Sequence, residues 1–479
     1  MLRREFLKRT GVAGIAAFIG AKSLMAAESA RPNILIFMAD DWGWPSSPLY
    51  GDKNVKTPAL ERIARDGVLF NHAYCSAPSC TPSRAALFTG QDFWRLEEGS
   101  ILLGTLPVKF AVYPDLLESA GYVVSSRSKG WSPGSVTAGG RTRNPAGPRL
   151  PGKGDFKAFL KTVPADKQFC FWYGSTDPHR VYKKGSGVKA GMKPEAIQVP
   201  GFLPDVSEVR SDFCDYYLMV QKFNDEIVKA IAALEESGRY DNTLIIISGD
   251  NGMPFPHGKT QIYEYGVHQP LAICWKARVP GGRTVEDYTC FTDFAPTILE
   301  AAGVPVPAEM TGKSLLPLLL SGKSGQVESQ RDAVVVGLER HGGSYPMRAI
   351  RTKEYSYIRN FATDRNPSNY GKGGPSMEYM MAHKDDSEEL KRLYALSFGP
   401  RPTEELYDLQ KDQYELTNLA GDPKYADIKK KMADRLMAYL KKTGDPRALG
   451  TGEVFDKYKM WTKKELEQEN ARQSDGKKK

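Results

Sequence analysis

In Asn33-Ile34-Leu35-Ile36-Phe37-Met38-Ala39-Asp40-Asp41 an apolar run stops abruptly at two carboxylates. Such a run, with no polar alternation, suits a strand covered on both faces, as in a parallel sheet between helical layers. Neighbouring strand residues face opposite ways. Asp40 and Asp41 can therefore reach one point only where the strand has ended, and Trp42-Gly43 fits such a break.

The same texture repeats outward from this segment. Thr57-Pro58 offers an N-cap and an N1 proline, and Gly67 a C-terminal stop. A strand is expected over Val68–Tyr74 and a helix over Pro82–Phe88. A helix near Tyr113–Ala120 precedes strands Tyr122–Ser126 and Gln168–Tyr173. A long amphipathic helix over Ser207–Ser237 leads to strands Thr243–Ser248 and Pro270–Trp275. This alternation predicts an α/β fold, a large, mostly parallel sheet flanked by helices, over residues 31–303. Pro305, Pro307, Gly312, Pro317 and Gly322 mark a connector over 304–330. Residues 331–450 read as a smaller C-terminal antiparallel sheet plus helix. Its strands are Ala333–Leu338, Met347–Arg351 and Tyr355–Arg359, and its helix lies near Tyr425–Lys441. Residues 451–479 form a charged tail whose end is expected to be disordered.

Residues 1–27 are not expected to belong to the fold. Arg3-Arg4-Glu5-Phe6-Leu7-Lys8, the apolar run Gly11–Gly20 and the small Ala26-Ala27 have the layout of a signal peptide of twin-arginine type. The expected product is exported to a bacterial periplasm, and the apolar run is too short to span a membrane. Of the net charge of +9, this segment carries five Lys/Arg and one Glu, which leaves +5. A mildly basic surface suits a polyanionic substrate but gives no sign of nucleic acid. The 41% hydrophobic and 26% charged residues fit a globular chain, and 479 residues suffice for one large core with a smaller unit attached. The six cysteines form no CxxC pair, which removes zinc ribbons and thioredoxin-like motifs.

Chemistry concentrates in Ser79-Cys80-Thr81-Pro82-Ser83-Arg84. A cysteine just before a helix start lies where backbone N–H groups are unpaired, with Arg84 one turn on. A nucleophile, a helix N-terminus and a fixed cation make a place for an anion; the plainer reading is a capping turn with a buried thiol. Asp250-Asn251 follows the strand ending at Ser248 as Asp40-Asp41 follows the first. Ligands of parallel α/β sheets collect beyond the C-terminal ends of strands. Either acidic pair alone would read as a solvated turn. Together they put three carboxylates and an amide oxygen at strand ends, which repel unless a cation lies among them. All-oxygen ligands favour Ca²⁺ or Mg²⁺ over zinc.

Cys80-Thr81-Pro82-Ser83-Arg84 resembles the signature of the type I, formylglycine-dependent sulfatases of the alkaline phosphatase superfamily. Asn33–Asp41 is similar to their opening strand and metal pair, and Ser248-Gly249-Asp250-Asn251-Gly252 to their second pair. Asp250 to Pro256 with Gly258-Lys259-Thr260 looks most like the heparan N-sulfatase (N-sulfoglucosamine sulfohydrolase) branch. Glu404–Leu409 and Asn418-Leu419 resemble the family's C-terminal motif. The resemblance spans about residues 31–443. It implies Ca²⁺ held by Asp40, Asp41, Asp250 and Asn251, with the shell completed by Cys80 converted to 3-oxoalanine (formylglycine) by a maturation enzyme. It implies that Arg84 steadies the modified residue and that Lys129, Lys259 and His179 surround the sulfate. One hydroxyl of the formylglycine hydrate attacks sulfur. The other, on losing its proton, restores the aldehyde and releases sulfate, which a serine or cysteine could not do. Lys129 and Lys259 neutralise oxygens of the transferred group, and His179 protonates the leaving atom. Taken singly, both lysines read as surface residues and His179 as a loop histidine.

The chain departs from the family at Trp131, where many sulfatases carry histidine two residues after the lysine. Indole cannot act as a base. Either His257 or His268 takes that role, or the step proceeds without it. Glu339, Arg340, His341 and Arg348, between short C-terminal strands, are candidate substrate-binding residues or ordinary surface charge. Arg143 and Arg180 are candidates for further sulfates or carboxylates of a sugar chain. The expected activity is hydrolysis of sulfate esters or sulfamates of a sulfated glycan, with N-sulfoglucosamine of heparin or heparan sulfate the foremost example. Alternatives are a phosphodiesterase or phosphonate hydrolase of the same superfamily, and a sulfated-glycan binding protein with an inactive site.

Overall fold

The structure, a computed structural model, describes residues 31–151, 154–364, 366 and 373–476. The proposed leader and the Lys477–Lys479 end lie outside the described residues. A seven-stranded sheet forms the centre. Its strands are β1 (Asn33–Ala39), β2 (Val68–Phe70), β4 (Val123–Arg127), β5 (Phe169–Gly174), β6 (Thr243–Gly249), β7 (Leu271–Cys274) and β8 (Arg283–Val285), in the order β4-β5-β1-β6-β7-β2-β8. Only β7 runs against the others. β3 (Ala73–Tyr74) and β9 (Thr289–Cys290) pair separately.

The expected strand over Val68–Tyr74 is thus two strands in two sheets. The break falls at Asn71-His72, whose side chains turn to Glu286. β1 takes an interior position between β5 and β6, and every residue from Ile34 to Ala39 is fully buried, with one apolar cluster on each face of the sheet. The helix Ser207–Glu236 covers one face with a long apolar stripe. The helix Cys80–Thr89, buried along its whole length, lies in the opposite layer.

The C-terminal unit is a four-stranded antiparallel sheet of β10 (Ala333–His341), β11 (Gly343–Thr352), β12 (Tyr355–Asn360) and β13 (Glu404–Asp408), packed against helix Ala426–Lys442. Helices Gly374–Ala382 and Glu388–Phe398 and the strand character of Glu404–Asp408 are additions to the sequence expectation. The segment after Gly450, expected as a charged tail, carries helices Val454–Lys457 and Lys463–Gly476. Its charged residues hide anchors. Phe455 is fully buried, Trp461 N donates to Leu103 O, and Glu469 accepts from Val136 N and Thr137 N.

β1 and β6 pair in parallel and in step, from Asn33 opposite Thr243 to Ala39 opposite Gly249. The residues that follow, Asp40 and Asp250, therefore leave the sheet at the same level. Gly249 is needed for the approach: a Cβ there would lie 2.0 Å from the Trp42 carbonyl oxygen. Gly249→Ala should lower the unfolding free energy by about 1–3 kcal/mol through overpacking, measured by urea denaturation.

Candidate active site

Four adjacent strands deliver the site from their C-terminal ends. β4 is followed by Lys129, β5 by Asp177-Pro178-His179, β1 by Asp40-Asp41 and β6 by Asp250-Asn251. Asp41 turns the chain with φ 73°, a left-handed conformation that aspartate tolerates better than most residues. Tyr216, from the long helix, pins this turn: its hydroxyl donates to Asp41 O and accepts from Gly43 N. No local motif announces Tyr216, because it lies about 175 residues downstream.

The helix expected from Pro82 begins two residues earlier, so Cys80 occupies its first turn. Ser79 is the N-cap residue, but its hydroxyl does not cap. It pairs instead with His341 Nδ1 at 2.9 Å. Cys80 Sγ lies 3.4 Å from Asp40 Oδ1 and 3.5 Å from Lys259 Nζ. Burial pushes the thiol up to about 12 against the pull of Lys129 and Lys259. The unmodified side chain is therefore a neutral thiol at pH 7 and a poor nucleophile.

Each carboxylate has its own cation. Lys129 Nζ is 2.5 Å from Asp40 Oδ1, Lys259 Nζ is 2.6 Å from Asp41 Oδ1, and Arg84 Nε is 2.7 Å from Asp250 Oδ2. Burial alone would lower both lysines. Asp40 beside Lys129, and Asp41 beside Lys259, outweigh it and hold both ammonium groups above their ordinary range. Burial would likewise raise Asp40, but Lys129 and the other nearby cations hold it below the usual carboxylate range. Arg84 also donates to the carbonyls of Lys129, Gly130 and Ala39, which ties three strand ends together. Its hydrogen bonds go to this frame and to Asp250 rather than to Cys80.

Ligand atoms of Asp40, Asp41, Cys80 and Asp250 lie within 4.8 Å of one another. Asn251 Oδ1 is buried with no hydrogen-bond donor among the described residues, while its Nδ2 donates to Asp41. Three carboxylates and an orphaned amide oxygen are the donor set of a hard divalent cation. The residues fit such an ion.

Two histidines border the cluster. His179 Nδ1 pairs with Arg180 O at 2.5 Å, which leaves Nε2 turned toward Asp41 Oδ2, 3.9 Å away. His341 is neutral, since burial and the nearby Lys259 and His179 push it down to about 3. Trp131 is buried, and Asn144 clamps its backbone N–H and carbonyl; its indole N–H has no acceptor among the described residues. The two histidines considered as its replacement are engaged in packing. His257 stacks on Tyr263, and His268 pairs with Glu264 while stacking on Trp44 and Tyr74. His341 is the histidine that reaches the helix of Cys80.

Most of the charged residues expected to bind substrate have structural partners instead. Arg348 and Glu339 are fully buried, 2.6 Å apart, and Arg348 also holds Asp445 at 2.7 Å. Arg340 donates to the carbonyls of Phe455 and Tyr458. Arg143 pairs with Asp115 and Glu118, and Arg180 makes a bidentate pair with Asp212. These arginines and Glu339 are occupied within the fold because each meets a carboxylate, a guanidinium or a helix-end carbonyl, Arg143 at the surface and Arg348 and Arg180 in the interior. Of the four residues named for substrate in the C-terminal unit, His341 is the one that approaches the site, through Ser79 beside Cys80.

A buried cradle of acids with two ammonium groups beside the helix N-terminus that bears Cys80 suits a tetrahedral oxyanion. The chain belongs to the sulfatase family, whose profile matches residues 32–143 and 154–304. A second profile, N-sulphoglucosamine sulphohydrolase, C-terminal, matches residues 256–397. An ulvan-active sulfatase of Formosa agariphila is 30% identical over 445 residues, covering 88% of this chain and 82% of that protein. The N-sulphoglucosamine sulphohydrolase of Homo sapiens is 28% identical, covering 87% and 91%. A solved structure in complex with its substrate D-glucosamine-2-N,6-O-disulfate has the same fold, with TM-score 0.65 at 20% identity, covering 87% of this chain and 99% of that one. The protein is a sulfate ester or sulfamate hydrolase with a large mostly parallel sheet and a smaller antiparallel one.

The buried ion network yields a prediction separate from chemistry. Arg348→Ala strands Glu339 and Asp445 and should cost about 3–5 kcal/mol of stability, read as a lowered denaturation midpoint.

Proposed function

We propose that this sulfatase removes sulfate from a sulfated glycan, foremost the N-sulfate of glucosamine in heparin or heparan sulfate, using formylglycine at position 80 and Ca²⁺. The observation that carries this reading is Cys80 in the first turn of its helix, 3.4 Å from Asp40 and 3.5 Å from Lys259. The N-sulfoglucosamine branch is supported by the C-terminal profile over 256–397 and by the human relative across most of its length. The ulvan-active relative supports a second reading, a sulfated polysaccharide of another sugar type.

Asp40, Asp41, Asp250 and Asn251 would hold the ion. When present, the ion and the oxidised side chain supply Lewis acidity and a hydroxyl nucleophile. The chain's own charges account for the rest. Three carboxylates balance Lys129, Lys259 and Arg84, so a divalent ion leaves an excess of positive charge to draw an anion. Lys129 and Lys259 flank Cys80 and bind the sulfate oxygens. His179, whose side chain is 44% exposed at the rim, hands a proton from Nε2 to the leaving amine or alcohol. His341, neutral and anchored by Ser79, accepts hydrogen bonds beside the nucleophile in the place of the family's usual histidine. Arg84 keeps Asp250 and the Lys129 carbonyl in place. The basic residues and apolar run of residues 1–27 support export to the periplasm, and oxidation of Cys80 calls for a maturation enzyme as partner. Among the described residues no helix is long and apolar enough to cross a membrane.

Coexpression with a formylglycine-generating enzyme should lower the intact mass of the Cys80 peptide by the change from thiol to aldehyde. The matured protein should release sulfate from N-sulfoglucosamine. An unmodified thiol with undiminished glycan binding would favour a binding protein, and preferential cleavage of phosphate diesters a phosphodiesterase. Added Ca²⁺ should raise the melting temperature of the wild type, and Asp250→Asn should remove most of that rise.

A further inference from the structure

A cleft of about 750 Å³ opens beside Lys129, with Trp131 in its wall. Its volume lies in the range of small-molecule sites. Its two arginines differ. Arg143 is occupied by Asp115 and Glu118, whereas the guanidinium of Arg149 is exposed and has no hydrogen-bond or ion-pair partner among the described residues. The backbone around Arg149 is nonetheless firmly placed. It bridges Ser126 near the end of β4, Leu150 N donates to Ser126 O, and Ser126 N donates to Pro148 O. A free cation on a fixed stem, sharing a cleft with Lys129, can grip a second anion at a set distance from the first.

Part of the lining comes from the last described helix. Leu466 of helix Lys463–Gly476 lines the cleft, and Glu469 fastens that helix by accepting from Val136 N, Thr137 N and Thr137 Oγ1. This helix lies beyond both matched family regions, which end at residues 304 and 397.

We propose that this cleft is the sugar subsite and that Arg149 binds a second anionic group of the substrate, a ring sulfate or the carboxylate of an adjoining uronic acid. The inference rests on the sulfated-glycan reading above and deepens it. Cys80→Ala protein, which has no heteroatom to oxidise and cannot mature, is titrated calorimetrically with three sugars: N-sulfoglucosamine, N,6-disulfated glucosamine, and an N-sulfated disaccharide bearing a uronate. Arg149→Ala should weaken one of the two doubly charged sugars about tenfold more than the singly charged one, and Arg149→Lys should restore part of the loss. Whichever sugar suffers identifies the anion. In the matured enzyme the same contrast should appear in KM. Leu466→Trp should weaken all three sugars by filling the cleft. Equal losses for all three sugars with Arg149→Ala, or none, would overturn the subsite. If the contrast in binding holds while the matured enzyme leaves every N-sulfate intact, the subsite stands and the N-sulfate assignment fails.

Discussion

The site depends on one pairing, β1 against β6, parallel and in register over seven residues. That register brings two acidic pairs, more than two hundred residues apart in sequence, out of the sheet at the same level. A slip of one residue would reverse which side chains face the core and move one pair away from the other. The core on both faces of β1 therefore does two things: it stabilises the sheet, and it holds the spacing of Asp40 and Asp250 against the repulsion between them. The three cations complete the balance. Removing any one would leave a carboxylate buried among its own kind, which is why the site must be built with Lys129, Lys259 and Arg84 in place.

The central layer was legible in the sequence because burial on both faces leaves a signal that needs no partner to read. Asn33–Ala39 has the expected limits, and Thr243–Gly249 and Ser207–Glu236 differ by a residue. Short, half-buried elements were less legible. β13 looks polar in Glu404-Glu405, but Glu405 is taken by Tyr263 and Asn360 from other parts of the chain and by Tyr407 of the same strand. The final helices read only as a charged tail because of their composition, and the few anchors of this segment, Phe455, Trp461 and Glu469, carry no periodic mark.

The acidic cluster was legible for a similar reason, since strand ends and paired acids are local. The partners of arginines are not. Arg348, Arg340, Arg180 and Arg143 read as free charges until the fold shows Asp445, the 455–458 carbonyls, Asp212 and Glu118 beside them. Sequence spacing alone cannot reveal such long-range neutralisation. Conversely, the stretch from Ser79 to Arg84 could pass for a plain capping turn, and the bond of Ser79 to His341 shows that the C-terminal sheet reaches the helix of Cys80.

The placement of Cys80 also orders events in time. Only 3% of its surface is accessible, and the helix that bears it is walled in along its entire length. A catalyst that must grasp the surrounding peptide cannot do so once this interior has closed. On the proposed formylglycine reading, conversion of the sulfur would compete kinetically with collapse of the chain around it, and slower folding of this layer would leave more molecules competent.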